Sequence, residues 1–257
     1  MKARRSLFWI LLTTVGMAVA AAAFSTPSPL PVSPSQHPIP NTQHLLPSPT
    51  LSAFVVCIDP GHPSEVNSGK TVQNGTTETH IDWAVALKLR KELEVLGFTV
   101  VMTKSSENEL VKNKDRAIAA NHAKADLAVR LHCDSSPYTG YALYYPDRQG
   151  TAQGKTGPSP EVMKRSRSAA ELLEKGMASV LSGSLKNGGV RGDSKTLIGS
   201  RQGALTGSIF SEVPVVTIEM VVLSNASDAE FIKTESGQQK MADAIAEGVK
   251  LCEQARR

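Results

Sequence analysis

From residue 53 onward the chain alternates short β-branched apolar runs with longer segments whose apolar positions return every fourth residue. This alternation constrains the fold more than any other feature, because a buried strand reads as a continuous apolar run and an amphipathic helix repeats at about 3.6 residues. Phe54 to Asp59 is the first such run and ends at the turn dipeptide Pro60-Gly61. Runs at Phe98 to Thr103, Asp126 to Leu131, Tyr141 to Tyr145 and Pro214 to Met220 follow, the last being the best candidate for a central strand. A helix is predicted from Glu78 to Leu96, with Ile81, Val85, Leu89 and Leu93 on one face, Thr77 as its cap and Gly97 as its stop. Further helices are predicted at Asn113 to Ala123, at Pro160 to Leu181 with proline in the favoured first turn, and at Gln238 to Glu253. Strands alternating with helices predict an α/β fold with a mixed, mostly parallel central sheet flanked by helices. No internal repeat divides residues 53–257, so they are expected to form one domain.

The segment before it has a different character. Residues 1–24 carry a basic start (Lys2, Arg4, Arg5), an apolar run from Leu7 to Ala23 and an Ala-x-Ala site at Ala21 to Ala23, the pattern of a secretory signal. The alternative is an uncleaved anchor, since the run approaches the ~20 residues that span a hydrocarbon core. Only in that case would the protein contact a membrane. No cysteine lies near the junction, which excludes a lipoprotein anchor. Residues 25–52 hold eight of the fifteen prolines and no charge, and are predicted to be an extended linker. His37 and His44 lie inside it and receive no role. Loss of residues 1–24 would lower the net charge from +4 to +1, so the basic balance argues for no nucleic-acid partner. The expectation is export across the cytoplasmic membrane, to periplasm, cell wall or the extracellular space.

Three cysteines, Cys57, Cys133 and Cys252, show no CxxC spacing. A domain of about 200 residues buries an adequate core without a disulfide framework. Cys57 reads as a buried strand residue and Cys252 as a helix-face residue. A Cys57–Cys133 bridge is the one pairing considered for an oxidising compartment.

In an open α/β sheet, ligands bind at the carboxyl ends of the strands. His62 follows the first strand in Asp59-Pro60-Gly61-His62, and His132 closes the third in Val129-Arg130-Leu131-His132. Glu78 opens a helix after the 63–77 loop, which can fold its carboxylate back toward those ends. Two imidazoles and one carboxylate make a usual catalytic zinc shell that leaves a position for water. The spacings, 16 and 54 residues, form no local motif. Each residue alone has an ordinary reading, Glu78 as a first-turn acid and a histidine as surface or core. His80 and His122 keep that ordinary reading. Glu219 ends the apolar run Val213 to Ile218, where a carboxylate is costly to bury, and it is a natural general base.

The ordered set Asp59-Pro60-Gly61-His62, the helix opening at Glu78, Ser105 to Asn121, the strand ending at His132, and Pro214-Val-Val-Thr-Ile-Glu219 followed by Leu223-Ser-Asn225 resembles the type-3 zinc N-acetylmuramoyl-L-alanine amidases. The resemblance covers nearly all of residues 54–255. It implies a zinc-exopeptidase-like fold, Zn(2+) held by His62, Glu78 and His132, Glu219 as the catalytic carboxylate, and peptidoglycan or muropeptides as substrate. Arg116 and Asn121 match positions the family keeps, and are read as structural. The chain departs from the family in Pro63-Ser64-Glu65 after the first histidine, in Thr79 after Glu78, and in Arg130, Cys133 and Asp134 around His132. These departures bear on substrate preference. Arg130 is a candidate for binding a stem-peptide carboxylate, against the alternative of a sheet-edge arginine. Some relatives carry a helix that blocks the metal until a protein activator removes it. Residues 146–160 are too short for such a plug, and Glu161 and Glu171 are the acids to test for one. A zinc peptidase cutting within wall peptides and an inactive wall-binding module remain the alternative functions.

Overall fold

The computed structural model describes residues 53–257; the signal and linker predictions fall on residues 1–52 and lie outside them. Eight strands form: β1 (Val55–Pro60), β2 (Thr99–Met102), β3 (Leu127–Asp134), β4 (Tyr141–Tyr145), β5 (Gly150–Ala152), β6 (Lys155–Gly157), β7 (Asn187–Gly192) and β8 (Val215–Val222). The helices are α1 (Glu78–Val95), α2 (Asn113–His122), α3 (Pro160–Leu181), α4 (Leu197–Gln202), α5 (Thr206–Phe210), α6 (Ala226–Lys233) and α7 (Glu235–Arg256), with one 3-10 turn at Asp193–Lys195.

Six strands make one sheet in the order β2-β1-β3-β8-β4-β7, and β5-β6 is a separate hairpin. Within the six-stranded sheet only the β4–β8 pairing is antiparallel. The sheet is therefore mixed and mostly parallel, as the alternation of elements predicts. The central pair, β3 and β8, runs in register from Ala128 opposite Val215 to His132 opposite Glu219.

Alternation along the strands gives the sheet two unlike faces. One face carries Val56, Ile58, Leu127, Val129, Leu131, Val216 and Ile218, all buried in the main core with α1, α3 and α7. Ile81, Val85, Leu89 and Leu93 of α1 are fully buried there, and burial of each such side chain is worth about 1.5–3 kcal/mol. Where α3 crosses α7, a Cβ on Gly176 would stand 2.3 Å from the backbone nitrogen of Gly248, so glycine sets that close approach. The other face carries only small apolar groups near its base, Cys57, Ala128 and Val215 with Ala120 and Ala125. Polar side chains take over toward the carboxyl ends: Asp59, Arg130, His132, Thr217 and Glu219.

This two-faced construction corrects the disulfide considered above. All three cysteines are free and buried. Cys57 lies opposite Ala128, and Cys133 is an odd number of residues further along β3, so it projects into the main core on the other face. The two sulfurs are on opposite sides of the sheet and several residues apart along it.

Candidate active site

The Thr77 hydroxyl accepts the His80 amide at 3.3 Å, which starts α1 at Glu78. Thr79 is fully buried and donates to Ser68 O at 2.7 Å, tying the 63–77 loop to the helix start. The Glu78 carboxylate consequently points across the ends of β1 and β3. Its Oε1 lies 3.1 Å from His62 Nε2 and 3.0 Å from His132 Nδ1, and the two imidazole rings stand at 90°. These three side chains offer ligand atoms all within 4.8 Å of one another.

The chemistry of this set fits a metal cation. His62 Nδ1 sits 3.0 Å from the carbonyl of Asn67 and donates to it, so its Nε2 turns a lone pair toward Glu78. Two acceptors at 3.1 Å need a cation between them, either a proton or a metal. Burial opposes ionisation of Glu78, but the bonds from His132 and His62 prevail and hold its carboxyl below the usual range. Burial lowers the His132 pKa against the pull of Glu78, which favours the neutral, metal-binding imidazole.

The loop carrying His62 is held from behind. Gly61 passes so close to His132 that a Cβ there would lie 2.6 Å from both the imidazole and Asp82 Oδ2. His62 adopts φ 43°, the left-handed region uncommon for a non-glycine residue. Lys104, buried, donates to the carbonyls of Gly61, His62 and Glu107. Arg116 donates to Pro60 O at 2.5 Å, to Pro63 O at 2.9 Å and to Asp59 Oδ1 at 2.6 Å. Asp59 also receives Arg130 Nε at 2.9 Å and the Thr103 hydroxyl at 2.5 Å. Burial alone would raise the Asp59 pKa; the two guanidiniums and the hydroxyl outweigh it and keep the carboxyl well below its ordinary range. Asn121 bonds Phe210 O and the Glu212 amide, joining α2 to the segment after α5. Arg116 and Asn121 are thus structural residues.

Glu219 stands beside His132 on the neighbouring strand, and its Oε2 is buried with no hydrogen-bond partner. Burial, then the charges of Glu78 and Asp134, push its carboxyl well above the ordinary range against the opposing charge of Arg130. A cavity of about 260 Å³ opens over His62, His132 and Glu219. Arg130 lies in its wall, with Nε on Asp59 and Nη2 on Asn113 Oδ1 at 2.9 Å. His80 is half-exposed beside Glu107 at 3.4 Å, and His122 is exposed at the end of α2, both away from the cavity. Glu161 and Glu171 lie on α3, which packs on the opposite face of the sheet, and Glu171 is paired with Arg167.

Sequence reasoning missed several groups. Asp82 sits one helical turn after Glu78 and accepts Cys133 Sγ at 3.6 Å, while its Oδ2 has no partner. The i, i+4 spacing on α1 was the available signal. Tyr144 and the 196–206 segment, with Leu197, Ile198 and Leu205, complete the cavity wall. Tyr144 was findable by counting alternate residues along β4, whereas the 196–206 segment has no periodicity to find.

A mostly parallel sheet with a His-Glu-His cluster that could hold a metal ion near its strand ends, and an orphaned carboxylate alongside, is the arrangement of the zinc-amidase fold. The model of one family, described as N-acetylmuramoyl-L-alanine amidase, matches residues 56–251, and the chain belongs to that family. It is 25% identical over 220 residues to the N-acetylmuramoyl-L-alanine amidase Rv3717 of Mycobacterium tuberculosis, covering 77% of this chain and 86% of that protein. The catalytic domain of CwlV, an amidase from Paenibacillus polymyxa, superposes with a TM-score of 0.61 at 25% identity, over 77% of this chain and 96% of that one. The CwlD amidase of Clostridioides difficile, solved in complex with the GerS lipoprotein, matches in fold with a TM-score of 0.60 at 21% identity, over 79% of this chain and 99% of that one.

Proposed function

We propose that the protein hydrolyses the amide between muramic acid and the L-alanine of the peptidoglycan stem, with His62, Glu78 and His132 holding zinc and Glu219 moving the proton. The observation that carries this reading is the pair of imidazole nitrogens 3.0 and 3.1 Å from one carboxylate oxygen, with the partnerless Glu219 carboxylate on the next strand. Zinc bound there would bring a water pKa to near 7 and polarise the carbonyl under attack. Glu219 accepts the proton of the attacking water and returns it to the departing L-alanine amine. Its burial near Glu78 and Asp134 raises its carboxyl, which favours holding the proton between the two halves of that transfer. Cys133 takes no part, since it points to the other face and burial pushes its thiol up. Arg130 forms cavity wall and, through Asp59, braces the His62 loop.

The reading includes residues 1–24 as an export signal and 25–52 as a linker, which would place the domain where peptidoglycan is. No helix of the described residues is long and apolar enough to cross a membrane. A protein partner, as the GerS lipoprotein is for the C. difficile amidase, would be a further component of this reading.

The deciding experiment is mass spectrometry of peptidoglycan digested by the full chain, with and without a chelator. Chelator-sensitive release of intact stem peptides with a free L-alanine amine is expected. Cuts inside the stem would make the protein a wall peptidase. Binding without any product, unchanged by Glu219→Gln, would make it a wall-binding module.

A further inference from the structure

Substrate would enter a cavity whose lining holds one carboxylate, Glu219, among the described residues. Glu78 and Asp134 lie close enough to act on that carboxyl. An anionic group of the substrate is received best by a cation that is not already paired. Arg130 is already paired with Asp59, and its Nη2 is held by Asn113. A second arginine lies on the same sheet face and is differently placed. Arg191 of β7 stands directly opposite Tyr144 of β4, and Tyr144 stands opposite Thr217 of β8, two residues before Glu219. Tyr144 and Thr217 both line the cavity. The Arg191 Nη1 reaches the Tyr144 hydroxyl at 3.5 Å and its Nη2 donates to Gly188 O at 3.1 Å. Among the described residues it forms no ion pair, and it is exposed beside the cavity.

We propose that Arg191, with the Tyr144 hydroxyl beside it, forms a subsite for a free carboxylate on the second residue of the stem peptide. The proposal rests on the amidase reading of the site and names how that site chooses its substrate. Reach supports it. Two strand spacings of about 4.8 Å separate β7 from β8, so the Arg191 backbone is roughly 10 Å from that of the catalytic strand. An extended peptide advances about 3.5 Å per residue, so the second residue beyond the cut bond lies about 7 Å out, within range of an arginine side chain. A stem residue that presents a free carboxylate at that distance would meet the guanidinium, whereas its amide would carry no charge to pair with it. A guanidinium favours the free carboxylate through charge-assisted, fork-shaped bonds. The Tyr144 hydroxyl adds a donor from the cavity wall. Burial raises its pKa, with Arg191 opposing, so it stays protonated at neutral pH.

The test compares two synthetic muramoyl dipeptides, one ending in D-glutamate with a free α-carboxylate and one in the corresponding α-amide. The full chain loaded with zinc is expected to cut the carboxylate form with a kcat/KM about 10–100-fold higher, the range set by one charge-assisted contact. Arg191→Gln should remove that preference, mainly through KM, and leave the amidated substrate within about threefold of wild type. Arg191→Lys should recover part of it. Equal loss on both substrates, or no preference in the wild type, would overturn the subsite while leaving the amidase reading intact. Failure of the wild type to cut either substrate at the sugar–peptide amide would instead overturn the amidase reading, and the subsite with it.

Discussion

Replacing Asp59 with asparagine removes one charge and strands two. The carboxylate holds Arg116 at 2.6 Å and Arg130 at 2.9 Å, with all three side chains at most 7% exposed. At an effective dielectric near 20, each pair is worth about 4 kcal/mol of gross attraction, most of it offset by the cost of burying the charges. Removing one partner leaves that cost without its compensation, so about 3–5 kcal/mol of stability should be lost, from a total of typically 5–15 kcal/mol. Asparagine keeps an oxygen to accept one bond, which favours the lower figure. Denaturant unfolding of both proteins at pH 7, each with chelator, measures the difference directly. The sign with pH follows from the depressed Asp59 pKa: its stabilisation is complete above about pH 4 and fades as pH falls toward the folded-state value. The gap between wild type and variant should thus narrow only in acid. Arg130→Met added to Asp59→Asn removes one stranded guanidinium and should recover part of the loss. The Asp59 variant should also bind zinc more weakly, because Arg116 braces the carbonyls of Pro60 and Pro63 on either side of the His62 loop. A loss under 1 kcal/mol, with zinc affinity unchanged, would refute the view that this cluster holds the loop.

Glu219→Gln should lower kcat by about 10²–10⁴-fold with zinc stoichiometry intact, as metal analysis and turnover on the same sample will show. His62→Ala should abolish stoichiometric zinc while circular dichroism keeps the α/β signature; retention of zinc would exclude this ligand set. Asp193 is buried, and burial first, against bonds from Ser208 and Leu205, raises its carboxyl to about 6. Its ionisation in the folded state therefore costs up to about 3 kcal/mol as pH rises from about 4 through 6, and Asp193→Asn should flatten that fall in a pH series of melting curves.

How much of this was legible in the sequence depended on whether a segment announces itself through periodicity. β8 and α1 did, because Val215 to Ile218 is continuous and β-branched and because Ile81, Val85, Leu89 and Leu93 return every fourth residue. α7 begins three residues earlier than its apolar pattern, since Thr234 caps it through the Gly237 amide. β7 starts Asn187-Gly-Gly and offers no apolar run, so its place at the sheet edge comes only from pairing with β4. The hairpin of β5 and β6 has three-residue strands, and α4 and α5 have six and five residues, too few for any period to show. The site divides in the same way. His62 follows β1, while His132 and Glu219 lie in the carboxyl-terminal halves of β3 and β8; β3 runs on to Asp134, so His132 does not close it as the sequence suggests. Asp82, Tyr144 and Arg191 matter through neighbours brought in from other elements. Strand parity separates Cys57 from Cys133, but only once the register of β1 on β3 is known.

The cations that brace the His62 loop come from segments far along the chain, Lys104 after β2 and Arg116 on α2. Glu78 and His132 are themselves 54 residues apart. No stretch of the unfolded polypeptide can present this trio, so metal capture has to follow tertiary assembly. On the proposed reading, zinc would then bind the folded state alone and hold the finished domain against reopening by an amount set by its free concentration. A chain delivered unfolded across a membrane would acquire its metal on the far side, and its activation would report zinc supply in that compartment.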